Sequence, residues 1–367
     1  MGEMCQLTFV NMRKLIILTD EQSEFLVSKP DLKNFTSMDV SRIRDWFIAN
    51  NYDIKIFKFS DLDLTNCYKN YFFLYQTSEA PGAFYKRYIE DLIYFLEKQG
   101  AIVLPCHEYL KAHHDKVFME FLRMRFTDNT LKTIRSRCYG SWVDALNYDG
   151  KFPVVIKQAS GSAGKGVYLA HDRNEFRRLV KKAGKVVIGT GLDDLFITWI
   201  KNTVKKTAKR LDPIKKRYVQ YNTAPVSNAI VVQNYISGLS GDYKVLYFGG
   251  RYYCMYRKNR PNDFRASGSG KFFDVPDEEQ ICVLDFARSL ISEIDFPIIG
   301  MDIGFDGKTY NLIEFQMIHL GTSAIQRSRF WYEYHEGQWI KTEGSSVLEE
   351  EFARSIDAFI NMSYSKE

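Results

Sequence analysis

Short apolar runs and amphipathic stretches alternate along the first hundred residues. Residues 14–18 (KLIIL) form a β-rich run closed by Thr19 and Asp20, residues 40–49 carry apolar side chains at helical spacing, and residues 52–59 (YDIKIFKF) alternate as a half-buried strand does. A continuous apolar run at 71–75 (YFFLY), a helical stretch over 85–98 and a short strand at 101–104 continue the rhythm. Strand and helix in alternation predict a small parallel sheet with helices on its faces. Ligands collect at the carboxyl ends of such strands. Ser78 and Glu79, in the segment QTSEAPG that follows YFFLY, therefore either face a ligand or belong to a turn set by Pro81 and Gly82.

Further along, residues 108–125 (EYLKAHHDKVFMEFLRMR) have the spacing of one charged helix. Two short strands, VVI and VYLA, flank a glycine-rich turn. In HDRNEFRRLVKKAG, Asp172 is placed to cap a helix, Glu175 to close a capping box, and Gly184 to end it. Strands are predicted at 230–236, 243–248 and 252–255, a helix at 276–294, a hairpin at 298–305 and 310–315 turning near Asp306 and Gly307, and a last helix at 346–361. In RFWYEYHEGQWIK, at 329–341, HEGQ reads as a hairpin turn whose aromatic neighbours either pack on the lobe or stack on a substrate.

The stretch 191–226 differs from its surroundings. Leu195, Trp199, Val204 and Leu211 lie among Lys201, Lys205, Lys206, Lys209, Arg210, Lys215, Lys216 and Arg217. Such a basic amphipathic helix is either a solvated face packed by a thin apolar stripe or a surface for a membrane or polyanion.

With 367 residues, 45% hydrophobic and 26% charged, the chain has the composition of a globular protein of two or three lobes. Its 27 Phe and 23 Tyr must fill much of the core. No run is long and apolar enough to cross a bilayer, and the first residues lack the pattern of a signal peptide, so a cytoplasmic location is expected. Six scattered cysteines, with no CxxC pair, predict reduced and mostly buried thiols. Cys106 and His107 are adjacent, but neighbours on a strand point apart, which argues against a thiolate–imidazole pair. A net charge of +5 implies at most a preference for anionic ligands. Nucleic acid is not an expected partner, since the basic stretch lacks interleaved aromatic side chains.

The glycine turn in FPVVIKQASGSAGKGVYLA excludes two familiar phosphate loops. Ala159 stands where a Walker loop needs its first glycine, and the segment leads into a strand where a dinucleotide fingerprint opens a helix. A hairpin remains, with Lys157 at the end of its first strand. Glycines let backbone N–H groups approach oxygen closely and lysine supplies a point charge, so this hairpin either covers a triphosphate or simply turns the chain.

An ordered set of segments carries a resemblance. DK at 115 and 116, VVIKQASGSAGKGV at 154–167, VVQNYI at 231–236, DYKV at 242–245, FRASGSGK at 264–271, GMDIG at 300–304 and LIEFQ at 312–316 together resemble the ATP-grasp superfamily. Its ribosomal-protein glutamate ligases and D-alanine:D-alanine ligases are the most similar branches. The resemblance covers about 106–325 and implies an α/β (α+β overall) protein. An N-terminal parallel-sheet domain at 1–105 precedes a central lobe at 106–232, which includes the glycine loop and the basic insertion, and a C-terminal lobe at 233–367; these two clasp the nucleotide.

Position by position, the resemblance implies that Lys116 and Lys157 hold the α- and β-phosphates, and that Ser160, Gly161, Ser162, Gly164 and Gly166 form the covering loop. Gln233, Asn234, Tyr235 and Ile236 form the adenine hinge, with Asp242 on the ribose hydroxyls and Lys244 where relatives often have arginine. Arg257 and Arg265 fall near the γ-phosphate and acyl phosphate, joined by Lys271 unless it belongs to a solvated loop. Asp302 and Glu314 match metal carboxylates, with Gln316 in place of an asparagine; hard oxygen donors suit Mg²⁺, or Mn²⁺ in its stead. Glutamine moves the amide oxygen one methylene outward, and MIHLG at 317–321 replaces the usual small-residue and proline segment, so the second metal position and the acceptor pocket depart from the pattern. His319 reads as a hydrogen-bonded bystander.

The implied activity is ATP- and Mg²⁺-dependent: a carboxylate becomes an acyl phosphate and an amine then displaces phosphate, forming an amide. Small-molecule carboxylates and amines are the expected substrates, with a bulky anionic acceptor such as an envelope-glycan precursor compatible with the basic insertion. Two alternatives stay open, a kinase on the same scaffold and a nucleotide-binding module without turnover.

Overall fold

A computed structural model describes residues 12–28, 35–78, 84–161, 166–185, 228–261, 263–266 and 271–364. The expectations for Ser162, Gly164, Glu79, Cys5 and the basic stretch 191–226 lie outside the described residues. Contacts divide the chain into two units, one formed by Met1–Arg135 with Ile236–Glu367 and the other by Ser136–Tyr235.

The first unit begins as its pattern predicts. β1 (Arg13–Thr19), β4 (Tyr52–Lys58), β5 (Phe72–Tyr75) and β6 (Ile102–Leu104) form a parallel sheet in the order β4-β1-β5-β6, with α1 (Val40–Ala49) and α2 (Phe84–Lys98) between its strands. β1 and β5 are buried over most of their length, which is why they read as continuous apolar runs. A small hairpin, β2 (Leu26–Ser28) with β3 (Phe35–Ser37), was not foreseen; three-residue strands carry too little periodicity to register.

The single helix expected over 108–125 is two helices, α3 (His107–His114) and α4 (Lys116–Arg125). Asp115 is extended, with φ −133° and ψ 111°, and its carboxylate accepts from Val117 N at 2.8 Å. An aspartate that caps a helix competes with its own helical hydrogen bonding, and the chain breaks there. The break sets Lys116 in the first turn of α4. Cys106 sits just ahead of α3 rather than within a strand.

In the second unit β7 (Ser136–Tyr139), β8 (Val154–Gln158), β9 (Val167–Ala170) and β10 (Ile230–Asn234) make an antiparallel sheet in the order β7-β10-β8-β9. Short α5 (Trp142–Ala145) and α6 (Arg173–Gly184) accompany it. Asp172 caps α6 by accepting from Asn174 N and Glu175 N, while Glu175 reaches back to His171 N at 2.9 Å. The core of this unit gathers Val154, Ile156, Phe176, Val180, Ile230 and Val232.

The remaining chain returns to the first unit as a seven-stranded antiparallel sheet. β11 (Gly241–Phe248), β12 (Arg251–Lys258), β13 (Phe272–Phe273), β14 (Ile298–Phe305), β15 (Tyr310–Gln316), β16 (Phe330–His335) and β17 (Gln338–Glu343) run in the order β15-β14-β11-β12-β16-β17, with β13 on β12. α7 (Asp277–Ile291), short α8 (Ser323–Arg327) and α9 (Leu348–Tyr364) complete it. Both predicted hairpins are present, and Glu336 and Gly337 turn the second with φ of 48° and 87°. Their aromatic residues pack on the sheet: Trp339 lies 4.9 Å from Tyr252. Of the described cysteines Cys67 and Cys282 are exposed and only Cys254 is buried, so the expectation of mostly buried thiols fails. None of the described helices is long and apolar enough to cross a membrane.

Candidate functional site

Strand register assembles a charged cluster at one end of the large sheet. Asp242 and Lys244 stand two apart on β11 and so share a face. Arg257 on β12 is the register partner of Asp242, and Asp302 on β14 is the partner of Lys244. The four side chains meet. Arg257 donates Nε to Asp242 Oδ1 at 2.8 Å and Nη2 to Asp242 Oδ2 at 2.7 Å and to Asp302 Oδ2 at 2.8 Å, while Lys244 Nζ donates to Asp302 Oδ1 at 2.9 Å. All four are buried.

Burial favours neutral forms, so two cations and two anions persist here only by compensating one another. Burial is the largest influence on Asp302, yet Arg257 and Lys244 together outweigh it and hold the carboxyl well below the usual range. Asp242 goes the other way: burial, reinforced by the negative charge of Asp302, pushes it up to about 6 against the pull of Arg257. Arg257 stays above its ordinary value because the two aspartates overcome its desolvation.

Glu314 on β15 lies opposite Asp302 in the register, with a bulge immediately after it. Like charges directly opposed on a sheet repel. Lys116 answers Glu314, with Nζ 3.8 Å from Oε1. α4 is fixed for this by Arg123, which donates to the carbonyls of Leu312 and Ile313 on β15 and pairs with Glu120 at 3.2 Å. The assembled set is thus Asp242, Asp302 and Glu314 against Lys116, Lys244 and Arg257.

Asp242 offers both oxygens to Arg257, and Arg257 faces two aspartates. Arg265 pairs with its neighbour Asp263 at 2.6 Å. Lys271 is exposed and its carbonyl accepts from Lys258 N at 3.1 Å. Gln316 is half-buried, two residues beyond Glu314 on the same face of β15.

Among the described residues no group of three or more His, Cys, Asp or Glu side chains converges as a metal cage. A magnesium-type ion does not need one, since it takes one or two carboxylates and completes its shell with water and phosphate. Glu314 and Asp302 are oxygen donors of that kind, with Gln316 on the same face of β15 as Glu314, and each Asp302 oxygen retains a second lone pair beyond the one its cation uses. The donor set fits such an ion.

In the second unit Lys157 is buried near the end of β8, paired in register with Val231 and Val167. Ser160 and Gly161 open the turn and Gly166 closes it; Gly166 has φ +73°, and a Cβ there would lie 2.2 Å from Gln158 Oε1. Gln233 is buried and donates Nε2 to Ser136 Oγ at 2.9 Å, Asn234 is exposed, and Tyr235 N meets Pro153 O at 3.4 Å. Ile236 begins the return to the first unit.

One group of polar residues was missed as a group, with only His319 noted, as a hydrogen-bonded bystander. Thr77, His114 and Glu90 form a hydrogen-bonded line, and His113 and His319 lie beside it. The sequence signal was slight: polar residues directly after an apolar strand, and a histidine pair ending a helix.

No protein-family model and no curated protein matches the sequence. Solved structures do match in fold. D-alanyl-alanine synthetase A from Vibrio cholerae O1 biovar eltor str. N16961 aligns at TM-score 0.50 and 10% identity over 95% of this chain and 99% of that one. A D-alanine–D-alanine ligase from Bacillus anthracis aligns at TM-score 0.47 and 12% identity over 96% and 98% of the two chains. A RimK domain ATP-grasp protein from Sphaerobacter thermophilus DSM 20745 aligns at 0.43 and 11% over 82% and 90%. At such identities the likeness is one of fold.

Proposed function

From a chain with the ATP-grasp fold, we propose an ATP-dependent ligase that activates a carboxylate as an acyl phosphate and joins it to an amine. The observation that carries this reading is the charge-balanced set on adjoining strands, in which Asp302 and Glu314 stand in register beside Lys116, Lys244 and Arg257. A fold needs no such set for stability, because buried ion pairs cost about as much in desolvation as they return. A site that handles phosphate charge does need it.

In this reading Glu314, Asp302 and Gln316 hold a divalent cation, which when bound would offset phosphate charge. Lys116 and, in the second unit, Lys157 hold phosphate oxygens as point charges. Arg257 stabilises the transferring phosphoryl group, and Arg265 and Lys271 act on the same charge as it develops. Lys244 keeps Asp302 ionised. The hinge residues 233–236 and Asp242 take the nucleoside, and Ser160 to Gly166 cover the phosphates. The substrate carboxylate then attacks the γ-phosphorus, ADP leaves, and the amine nitrogen displaces phosphate from the acyl carbon.

One observation favours a second reading, a nucleotide binder without turnover: both Asp302 oxygens are engaged by cations of the chain itself. A panel of carboxylates and amines, assayed for ADP and with hydroxylamine as trap, separates the two. The ligase gives ADP and a hydroxamate with at least one carboxylate. ATP binding with no ADP from any pair supports the binder, and a stable phosphorylated product without hydroxamate supports a kinase.

A further inference from the structure

Where β1 and β5 end, the chain buries polar side chains instead of apolar ones: Thr19, Asp20, Gln76, Thr77 and Ser78. Asp20 is consumed by its own turn, accepting from Gln22 N at 3.0 Å and Glu24 N at 2.9 Å. Thr19 bonds the carbonyl of Phe57, whereas Thr77 and Gln76 meet two of three neighbouring histidines. His114 Nδ1 lies 2.6 Å from Glu90 Oε1 and its Nε2 2.6 Å from Thr77 Oγ1. The second Glu90 oxygen takes Lys111 Nζ at 3.3 Å. An ionised carboxylate only accepts, so Nδ1 of His114 carries a proton and the ring orientation is fixed from both sides. Burial raises Glu90, but His114 and Lys111 outweigh it and hold it below the usual range.

His319 is held as firmly. Its backbone N–H donates to Gln76 Oε1 at 2.8 Å, its Nδ1 lies 3.2 Å from the carbonyl of Leu26, and its backbone is left-handed at φ 53°. A non-glycine residue in that conformation is strained unless its surroundings impose it. Between these two fixed rings stands His113, half-buried, with ring centroids 5.5 Å from His114 and 5.7 Å from His319. Burial first, then electrostatic interaction with His114, His319, Lys86 and Lys116, holds its imidazole well below the usual value. Lowered in this way, the imidazole of His113 favours its uncharged form, which still carries one N–H donor. Glu90 is engaged by His114 and Lys111, Glu314 by Lys116, and Asp115 by the backbone of Val117.

We propose that His113, flanked by His319 and Lys116, binds the non-reacting carboxylate of an amino-acid substrate. Naming an amino acid rests on the ligase reading; the anion subsite itself does not. Lys116 links the two places: it pairs with Glu314 at 3.8 Å, and its charge acts on the His113 imidazole. His114 and His319 are positioning residues, held by Glu90, Thr77, Gln76 and Leu26.

The test is histidine NMR on the full chain with ¹⁵N-labelled imidazoles, His113 assigned by its loss in His113→Asn. Probes are a panel of L- and D-amino acids, ethylamine and inorganic phosphate. A carboxylate against His113 stabilises its protonated form, so at least one amino acid raises its midpoint by about half a pH unit or more while ethylamine does not. Glu90→Gln, which loosens His114, reduces that shift. No shift with any amino acid, or an equal shift with phosphate alone, overturns the subsite. In turnover, His113→Asn raises KM for the amino acid about tenfold and leaves KM for ATP unchanged. A shift by NMR with no ADP from any substrate pair sinks the ligase reading and leaves the subsite standing.

Discussion

Replacing Arg257 with methionine keeps most of the side-chain volume and removes the group that bridges Asp242 and Asp302. In the native protein Arg257 makes three hydrogen bonds of 2.7–2.8 Å to those carboxylates and is 8% exposed. Lys244 still answers Asp302, but Asp242 loses both of its partners on Arg257. Breaking a buried pair by removing one member costs about 3–5 kcal/mol, because the charge left behind is uncompensated. For a unit of this size that corresponds to a fall in Tm of about 6–20 °C.

The pH dependence has a definite sign. Asp242 titrates at about 6 in the fold against an ordinary 3.8, so the folded state binds more protons between those values, and its contribution to stability falls as pH rises through them. Without Arg257 that carboxyl is raised further, and acidification neutralises it. The deficit of Arg257→Met is therefore largest near pH 8 and smaller near pH 5. Urea unfolding and calorimetry at both pH values measure it, and Asp242→Asn combined with Arg257→Met recovers part of the loss. A cost under about 1 kcal/mol at pH 8, or one that grows on acidification, refutes the compensated-network account.

Asp115→Ala removes the cap of α4 and costs about 1 kcal/mol; by displacing Lys116 it also raises KM for ATP, and an unchanged KM would separate the cap from the site. Glu314→Ala changes stability by less than about 1 kcal/mol, since its pair with Lys116 is long and Glu314 is partly exposed, but lowers kcat/KM by about a hundredfold or more; undiminished turnover would remove Glu314 from the metal set. Gly166→Ala meets both a positive φ and the Gln158 side chain, so it costs about 1–3 kcal/mol in the stability of the second unit, read by hydrogen exchange on β8 and β9; unchanged protection would show that the turn relaxes freely.

The parallel sheet was legible because its buried strands leave uninterrupted apolar runs and its helices a clean amphipathic spacing, as at residues 72–75 and 84–98. The break at Asp115 was not, since helical periodicity continues across it and only the cap geometry shows that the aspartate prefers the backbone of Val117. The site was half legible. Asp242 and Lys244 share a face by simple alternation, but that Arg257 falls opposite one and Asp302 opposite the other is a matter of register. Register depends on turn lengths and bulges far along the chain. The convergence of His113 and His114 with His319, read by itself only as a bystander, escaped for a related reason: it joins the end of α3 to the segment after β15, which no local pattern connects.

The most direct test of the ligase proposal follows oxygen. With the carboxylate that gives the highest ADP yield labelled with ¹⁸O in both carboxyl oxygens, an acyl phosphate must pass one labelled oxygen to phosphate when the amine displaces it. Mass spectrometry of the released phosphate then shows one ¹⁸O atom for each amide formed. Unlabelled phosphate accompanying amide formation contradicts the proposed chemistry.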